Sequence, residues 1–259
     1  VFIESTYGDR VHTSVEDTKQ QLCEAVNKTF KAGGNLIVPS FSIERAQEVL
    51  YYMNELLMED RIPNIMTFLD SPMAVRVTKV FEKHPELYDK QMSRLMANNN
   101  SPFTFKGLKL VESTEESKAI NHIKGTVMVI AGSGMCTGGR VKHHLVNNIT
   151  RAESSVLFVG YQAVGTLGRT ILEADPGQEV RILGQMMPVN ADIVKVHGFS
   201  AHADREEILT WLRHIKNTPR KVFIIHGEKD AAHSFKDFLT EKTGWDVMVP
   251  KYQDTVKID

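Results

Sequence analysis

Two histidine segments near the C-terminal end of the sequence have residue types that suit a chemical site. The first is Phe199-Ser-Ala-His202, two residues before Asp204, and the second is Ile225-His-Gly-Glu228. Imidazole is the commonest metal ligand and the usual acid or base near neutral pH. Two converging rings would therefore suit a metal site or a proton-transfer site. The spacing alone is equally compatible with two unrelated loop histidines.

The elements around these segments are predicted to place both rings at strand ends. Asp204 is a good helix N-cap, Glu207 lies three residues later as in a capping box, and apolar residues follow at helical spacing. His202 then lies in the turn between a strand and this helix. His226 follows the apolar run 221–225, which predicts a buried strand. Rings at the ends of neighbouring strands can meet at one point.

Short β-branched runs alternate with helical runs along most of the chain, which predicts an α/β fold with a mainly parallel sheet covered by helices on both faces. Two strands near 180–183 and 193–196 have no helix between them, and the change near Pro176 is the best internal boundary. Segments 85–96 and 115–123 are among those predicted to be helical, and 98–102 is predicted to be a loop.

The composition restricts the class of protein and its surroundings. Of 259 residues, 42% are hydrophobic and 24% charged, as in a soluble globular protein of one or two domains. A net charge of -1 means that a polyanion site must be a local patch. Cys23 and Cys136 do not make a disulfide framework. With no membrane-spanning run and no signal peptide, we expect a cytoplasmic protein without a membrane partner.

Other polar groups also lie where strands are predicted to end, which is where open parallel sheets bind ligands. Glu4 and Asp70 are two of them, although for a residue such as Asp70 a helix cap or a turn is the better explanation. A glycine-rich segment, 131–140, joins a strand to a helix whose first turns hold Arg140 and His144. Bare backbone N–H groups at the start of a helix favour an anion, such as the phosphate of a larger ligand. The alternative interpretation of this segment is a tight turn that serves only packing.

Arg45 lies in the first turns of another predicted helix, which begins near Ile43 after Pro39-Ser-Phe-Ser42. Its guanidinium group has two candidate partners: a phosphate group, or the carboxylate of Glu44 or Glu48 within the same helix. The bare pattern favours the intramolecular pair.

Five segments in this order resemble the β-CASP nucleases, the RNA-processing branch of the metallo-β-lactamase fold. They are Glu4-Ser-Thr-Tyr-Gly-Asp9, Asp70-Ser-Pro-Met73, Ala131-Gly-Ser-Gly-Met135 and the two histidine segments. The resemblance covers nearly the whole chain. It implies that 11–176 is a β-CASP domain, that 1–10 ends the N-terminal half of an αββα metallo-β-lactamase domain, and that 177–259 is the returning part of that domain.

The resemblance also implies roles for individual residues. Glu4 corresponds to the acidic residue of motif A, and His202 to the motif B histidine that acts as general acid or phosphate contact. His226 corresponds to motif C and would be a zinc ligand in a site that holds two zinc ions in the complete enzyme. Residues implied to contact RNA phosphates are Arg45, Ser133, Gly134, Arg140, His144 and Ser200.

One departure from the family pattern is large. The His-x-His-x-Asp-His signature, which precedes motif A in the family, is absent, and only Val1-Phe-Ile3 precede Glu4 here. We therefore expect an excised piece whose partner is the missing N-terminal half, which holds no zinc tightly and cleaves no RNA alone. Its exposed strand edges predict a homodimer. The alternatives are a non-catalytic RNA-binding scaffold that partners an active nuclease, and an unrelated α/β phosphate-binding protein.

Overall fold

The computed structural model describes residues 1–90, 92–93 and 101–257. Its contacts divide the chain into two compact units. Unit 1 consists of Val1–Thr13 and Ser200–Asp259, and unit 2 consists of Ser14–Phe199. The second boundary between compact units therefore lies after Phe199, whereas the sequence placed a domain boundary after Pro176.

Unit 2 is built around a six-stranded parallel sheet. Its described α-helices are α1 (Val15–Ala32), α2 (Arg45–Met58), α3 (Pro72–Lys83), α4 (Thr114–Ala119), α5 (Val141–Asn148) and α6 (Leu167–Leu172). Its strands are β2 (Leu36–Pro39), β3 (Met66–Asp70), β4 (Leu108–Leu110), β5 (Val127–Ala131), β6 (Ser155–Phe158), β7 (Glu179–Ile182), β8 (Gln185–Pro188) and β9 (Asp192–Lys195). The sheet has the order β4-β3-β5-β2-β6-β9, and each pair is parallel.

Both faces of this sheet are buried. Successive side chains of a strand point to opposite faces, so neighbouring residues of one strand belong to different apolar clusters. In β2, Leu36 and Val38 pack in one apolar cluster with residues of α1, α2 and α3, while Ile37 packs in a second cluster with residues of α5 and α6. Helices on both faces are what the continuous apolar strands require. The predicted mainly parallel α/β fold is confirmed.

Local signals explain where α1 begins and ends. The Ser14 side chain accepts a hydrogen bond from the backbone N–H of Asp17, which satisfies one free donor of the first turn. The helix stops at Gly33, whose φ of 75° is left-handed and suits glycine.

A hydrogen bond joins the beginning and the end of the unit 2 segment. The hydroxyl of Thr18, in the first turn of α1, donates to the carbonyl oxygen of His197 at 2.8 Å. The two ends of the unit 2 segment therefore lie side by side.

Three local predictions differ from the structure. The segment expected to link two strands forms β8 instead, which pairs with β7 as an antiparallel hairpin. β9 then joins the six-stranded sheet beside β6, which explains why the boundary of the compact unit lies beyond Pro176. The helix predicted over 115–123 is α4 followed by a 3₁₀ turn.

The helix predicted over 85–96 begins instead with a 3₁₀ turn at Pro85–Leu87. Residues 91 and 94–100 lie outside the described residues, and they include positions 91 and 94–96 of that predicted helix and most of the loop predicted over 98–102.

Unit 1 has a three-stranded parallel sheet of β1 (Phe2–Glu4), β10 (Val222–His226) and β11 (Val247–Met248), in that order. Its helices are α7 (Arg205–Leu212) and α8 (Lys229–Thr243). The core of the unit combines Ile208 and Leu212 of α7 with Phe235 and Leu239 of α8 and the buried side chains of β10. This packing holds the C-terminal ends of β1 and β10 next to each other.

Candidate functional site

Glu4, His202 and His226 lie together in unit 1. Glu4 is the last residue of β1 and His226 the last of β10, and the parallel register pairs these two residues. The Nδ1 atom of His202 lies 2.8 Å from Oε2 and 2.9 Å from Oε1 of Glu4. The His226 ring is stacked on the His202 ring, with centroids 5.8 Å apart and planes 18° apart. The acid and the two imidazoles therefore form one cluster.

The turn before α7 sets the position of His202. The Ser200 hydroxyl accepts a hydrogen bond from the His202 backbone N–H at 3.0 Å. Asp204 caps α7 and forms the predicted capping box with Glu207. The Asp204 carboxylate also accepts from the backbone N–H of His12 at 2.8 Å, and Nε2 of His12 lies 2.9 Å from the His202 carbonyl oxygen. Residues from both ends of the chain thus hold this turn.

The electrostatics of the cluster favour an ionised Glu4. Burial raises the pKa of the Glu4 carboxyl group, but hydrogen bonds from Thr6 and His202 and the His202 charge lower it more, so that the pKa lies below its ordinary value. A carboxylate only accepts hydrogen bonds, so Nδ1 of His202 carries the donated proton. The outward Nε2 is left for other partners, since 47% of the His202 side chain is exposed.

Sequence reasoning missed two hydroxyl residues at this cluster. Thr6 donates to Oε2 of Glu4 at 2.5 Å and its oxygen lies 3.1 Å from Nδ1 of His226. Ser5 donates from both its backbone N–H, at 2.5 Å, and its hydroxyl, at 2.7 Å, to the carbonyl oxygen of His226. Hydroxyl residues are common at strand ends, so their types alone carried no signal of this role.

The described residues do not form a zinc site by themselves. A zinc ion in a protein usually has three or four protein ligands. Within the described ranges, no group of three or more His, Cys, Asp and Glu side chains has the arrangement of a metal site. At the cluster, Nδ1 of His202 is bonded to Glu4 and Nδ1 of His226 faces Thr6, so each ring has its Nε2 atom to offer to a metal ion.

A second polar cluster lies inside unit 2, at the C-terminal end of β3. Asp70 has no exposed surface. Its Oδ1 accepts from Nη1 of Arg140 at 2.6 Å, and its Oδ2 accepts from the Ser117 hydroxyl at 2.5 Å and from Nε2 of His144 at 2.6 Å. Burial raises the pKa of Asp70, but hydrogen bonds from His144, Ser117 and Arg140 outweigh it and lower the pKa below its ordinary value.

The Asp70 cluster includes two of the residues predicted to contact RNA phosphate, His144 and Arg140. His144 is 1% exposed, so the prediction that it contacts RNA phosphate directly does not fit its position inside unit 2. Arg140 keeps 22% of its side chain exposed, but its two terminal nitrogens are bonded to Asp70 and to the Glu112 carbonyl oxygen. Through Asp70, His144 connects α5 to β3, and Arg140 connects the segment before α5 to β3.

The glycine-rich segment 131–140 closes on itself. The Ser133 N–H donates to the Gly138 carbonyl oxygen at 3.2 Å, and the Gly138 N–H donates to the Ser133 hydroxyl at 3.3 Å. Gly134 is buried, and a Cβ there would lie 2.9 Å from the Phe41 ring. These contacts are those of a tight packing turn. Ser133 remains half-buried, whereas direct phosphate binding by Gly134 does not fit its packing under Phe41.

Arg45 is likewise bonded within unit 2. Its side chain is 9% exposed, its guanidinium group pairs with the Glu48 carboxylate, and the guanidinium carbon lies 5.5 Å from the centre of the Phe199 ring. A buried guanidinium with a carboxylate and an aromatic ring as neighbours is satisfied within unit 2. The intramolecular pair is therefore formed, and the predicted phosphate contact of Arg45 does not fit its burial.

Comparison with known families identifies the class of protein. Residues 46–171 match the Beta-Casp domain, and residues 186–250 match the Zn-dependent metallo-hydrolase RNA specificity domain. The chain therefore belongs to the β-CASP family, as the resemblance of its motifs implied.

Individual relatives agree with this assignment. The chain is 36% identical over 258 residues to a ribonuclease of Thermus thermophilus, covering 100% of this chain and 58% of the relative. It is 30% identical over 266 residues to the transcription termination factor FttA of Methanocaldococcus jannaschii, covering 100% of this chain and 41% of the relative. An RNase J-like protein from the same organism is 28% identical over 237 residues, 91% of this chain and 53% of the relative. The chain thus spans about half the length of these relatives.

None of the described helices combines the length and the apolar content that crossing a membrane requires.

Proposed function

We propose that this chain is part of a metal-dependent ribonuclease that hydrolyses RNA phosphodiester bonds in RNA processing or decay. The observation that carries the proposal is the Glu4–His202 pair at 2.8 Å with the His226 ring stacked beside it. A relative named a ribonuclease and a family domain named for RNA specificity support RNA as the substrate.

In this proposal, His202 is the general acid. The Glu4 carboxylate accepts the Nδ1–H of His202, stabilises the positively charged ring and directs its Nε2–H outward. That Nε2–H would donate its proton to the leaving oxygen of the cleaved phosphodiester. A positioned general acid typically accelerates such a step about 10²–10⁴-fold.

Zinc is implied by the name of the matched RNA specificity domain. His226 is the residue proposed as a zinc ligand, but one ring nitrogen does not hold a catalytic zinc ion. We therefore expect the 259-residue chain to bind no zinc tightly and to cleave no RNA by itself. Elemental analysis of the purified chain checks the first expectation, and stoichiometric zinc would contradict it.

The proposed division of the chain keeps 11–176 as the β-CASP domain, with 1–10 and 177–259 as parts of a metallo-β-lactamase domain. Of the residues proposed to contact RNA phosphates, Ser133, Arg140 and Ser200 keep exposed surface, so they remain candidates. Their side chains supply two hydroxyls and one cation, which are common phosphate contacts.

The test is the substitution His202→Ala in the protein as its gene encodes it. We expect RNA cleavage to fall about 10²–10⁴-fold, the contribution of a positioned general acid, while RNA binding measured by filter retention is kept. His233→Ala is the matched control, because His233 is exposed on α8 in the same unit. Cleavage at the wild-type rate by the His202→Ala protein would refute the assignment.

A non-catalytic RNA-binding scaffold is the second candidate. The finding that favours it is a relative named a transcription termination factor and not a nuclease. This candidate predicts that the gene-encoded protein binds RNA, releases no cleaved product, and is indifferent to His202→Ala in both assays.

A further inference from the structure

His226 is held by two consecutive hydroxyl residues, one at its backbone and one at its ring. Ser5 is fully buried and donates twice to the His226 carbonyl oxygen. Thr6 is 7% exposed and its hydroxyl oxygen lies 3.1 Å from Nδ1 of His226. Gly227 allows this approach, because a Cβ there would lie 2.4 Å from the Ser5 hydroxyl oxygen. Both the position and the orientation of the ring are therefore fixed by the two residues that follow β1.

The hydroxyl of Thr6 has a single proton, and its two neighbours, Glu4 and His226, decide where that proton goes. The Thr6 oxygen lies 2.5 Å from Oε2 of Glu4, a carboxylate oxygen already paired with His202. Because a carboxylate only accepts, Thr6 must donate to Glu4. The Thr6 oxygen then has only lone pairs to offer to the His226 ring, so the contact at 3.1 Å requires a proton on Nδ1 of His226.

The opposite arrangement has no consistent proton assignment. If Nδ1 of His226 were bare, Thr6 would have to donate to it. The 2.5 Å contact between Thr6 and Glu4 would then join two acceptors without a proton between them.

We propose that Thr6 is a positioning residue that keeps the proton of neutral His226 on Nδ1 and leaves a lone pair on the exposed Nε2. The tautomer follows from the contacts alone, and its relevance to phosphodiester chemistry rests on the proposed function. The stacked rings thereby differ in chemistry. Nδ1 of His202 lies 2.8 Å from Oε2 of Glu4, whereas Nδ1 of His226 lies 3.9 Å from that oxygen and 3.1 Å from the Thr6 hydroxyl, so His226 acts as an electron-pair donor at Nε2.

The exposed surfaces of the rings agree with this division. The His226 side chain is 64% exposed, and Nδ1 is the nitrogen that faces Thr6 and Glu4. Nε2 is therefore the nitrogen available to an electron-pair acceptor. A fixed tautomer prepares that lone pair before any acceptor arrives, as hydrogen bonds to the second ring nitrogen do in other histidine sites.

The experiment is nitrogen-15 NMR of the histidine rings in the 259-residue chain, at a pH of about 8.5, which is well above the titration range of free histidine. The His226 signals are assigned by their loss in His226→Gln. We expect wild type and Thr6→Ser, which keeps a hydroxyl, to show a protonated Nδ1 and a bare Nε2. Thr6→Val, which keeps the shape without a hydroxyl, should shift the tautomer ratio toward Nε2–H about fivefold, the effect of one ordinary hydrogen bond.

A wild-type spectrum with the proton on Nε2 of His226 overturns the inference, and so does a Thr6→Val spectrum identical to wild type. If Thr6→Val fails to fold, the wild-type and Thr6→Ser spectra still decide between the tautomers. The test uses no RNA. A protein that cleaves no RNA would refute the proposed function alone, and an Nε2–H tautomer would refute this inference alone.

Discussion

Replacing Asp70 should destabilise unit 2 more than replacing any exposed carboxylate. This side chain has no exposed surface and accepts hydrogen bonds from Arg140, Ser117 and His144. In Asp70→Ala, the buried Nε2–H of His144 loses its acceptor and Arg140 loses its counter-charge. Removing one partner of a buried ion pair costs about 3–5 kcal/mol, so we expect the free energy of unfolding to fall by that amount.

The isosteric substitution Asp70→Asn should have a smaller effect. Its amide oxygen can still accept from Ser117 and His144, but its NH₂ group then faces the Arg140 guanidinium, and two donors cannot bond. The loss of one hydrogen bond to a charged group corresponds to about 1.5–3 kcal/mol. Asp175→Asn is the matched control, because Asp175 is exposed in a turn of the same unit, and its expected effect is within about 0.5 kcal/mol.

The contribution of Asp70 to the free energy of unfolding should depend on pH in a defined direction. The pKa of folded Asp70 is lowered, so the unfolded chain takes up a proton at a higher pH than the folded chain does. The stabilisation by Asp70 is therefore complete above the unfolded pKa of about 3.9 and is lost as the pH falls through the lower folded pKa. The stability difference between wild type and Asp70→Asn should narrow below a pH of about 4.

Urea titration followed by circular dichroism measures these differences. Both tryptophans, Trp211 and Trp245, belong to unit 1, so their fluorescence follows that unit and serves as an internal comparison. We expect the order Asp70→Ala, then Asp70→Asn, then Asp175→Asn in decreasing loss of stability. A loss below 1 kcal/mol for Asp70→Ala would refute the view that this carboxylate ties together three elements of unit 2.

Two further predictions concern local geometry. Asp204→Ala removes the acceptor for the backbone N–H groups of Glu206 and Glu207 and should cost about 1–2 kcal/mol in urea titrations read by tryptophan fluorescence, while Asp204→Ser should recover most of it. Gly139→Ala should lower the free energy of unfolding by about 1–3 kcal/mol and therefore lower the thermal midpoint. The reason is that φ is 74° and the new Cβ would lie 2.2 Å from the Gly132 carbonyl oxygen. Gly138→Ala, with nothing within 4 Å of the added Cβ, is its control, and equal melting of the two variants would contradict the steric reasoning.

The features that sequence predicted well are local in origin. The alternation of apolar strands and amphipathic helices indicated a parallel sheet, and the spacing of Asp204 and Glu207 indicated the capping box at α7. Such patterns depend on a few neighbouring residues. The order of strands in the six-stranded sheet depends on pairings far apart in the chain, and no pattern of residue types specified it.

The missed β7–β8 hairpin has a physical explanation. Its two-residue turn is Leu183-Gly184, with φ values of 47° and 85°. Such turns usually have asparagine or aspartate before the glycine, since these residues tolerate a positive φ. Leucine at this position is not a turn signal, so the segment after it was interpreted as a simple connection.

The candidate site was predictable only in part. The spacing of His202 and His226 was compatible with either a chemical site or two unrelated loop residues. Only the resemblance to a known family placed Glu4 in the same predicted site. The burial of Arg45 and His144 could not be predicted, because a residue in the first turns of a helix faces either solvent or core. Which of the two applies is decided by distant partners, Phe199 and Asp70 in these cases.

The split composition of unit 1 has a consequence for the order of folding. β1 pairs with β10 only after the 217 residues between them, 5–221, have been brought into a loop. By chain statistics this costs about 4–5 kcal/mol of entropy if that loop is flexible. Folding of those residues, which joins Thr18 to His197, closes most of the loop beforehand. Synthesis from the N-terminus also completes that segment before β10 exists. The cluster of Glu4, His202 and His226 should therefore form last, and refolding experiments should show α/β structure appearing before the tryptophan signal.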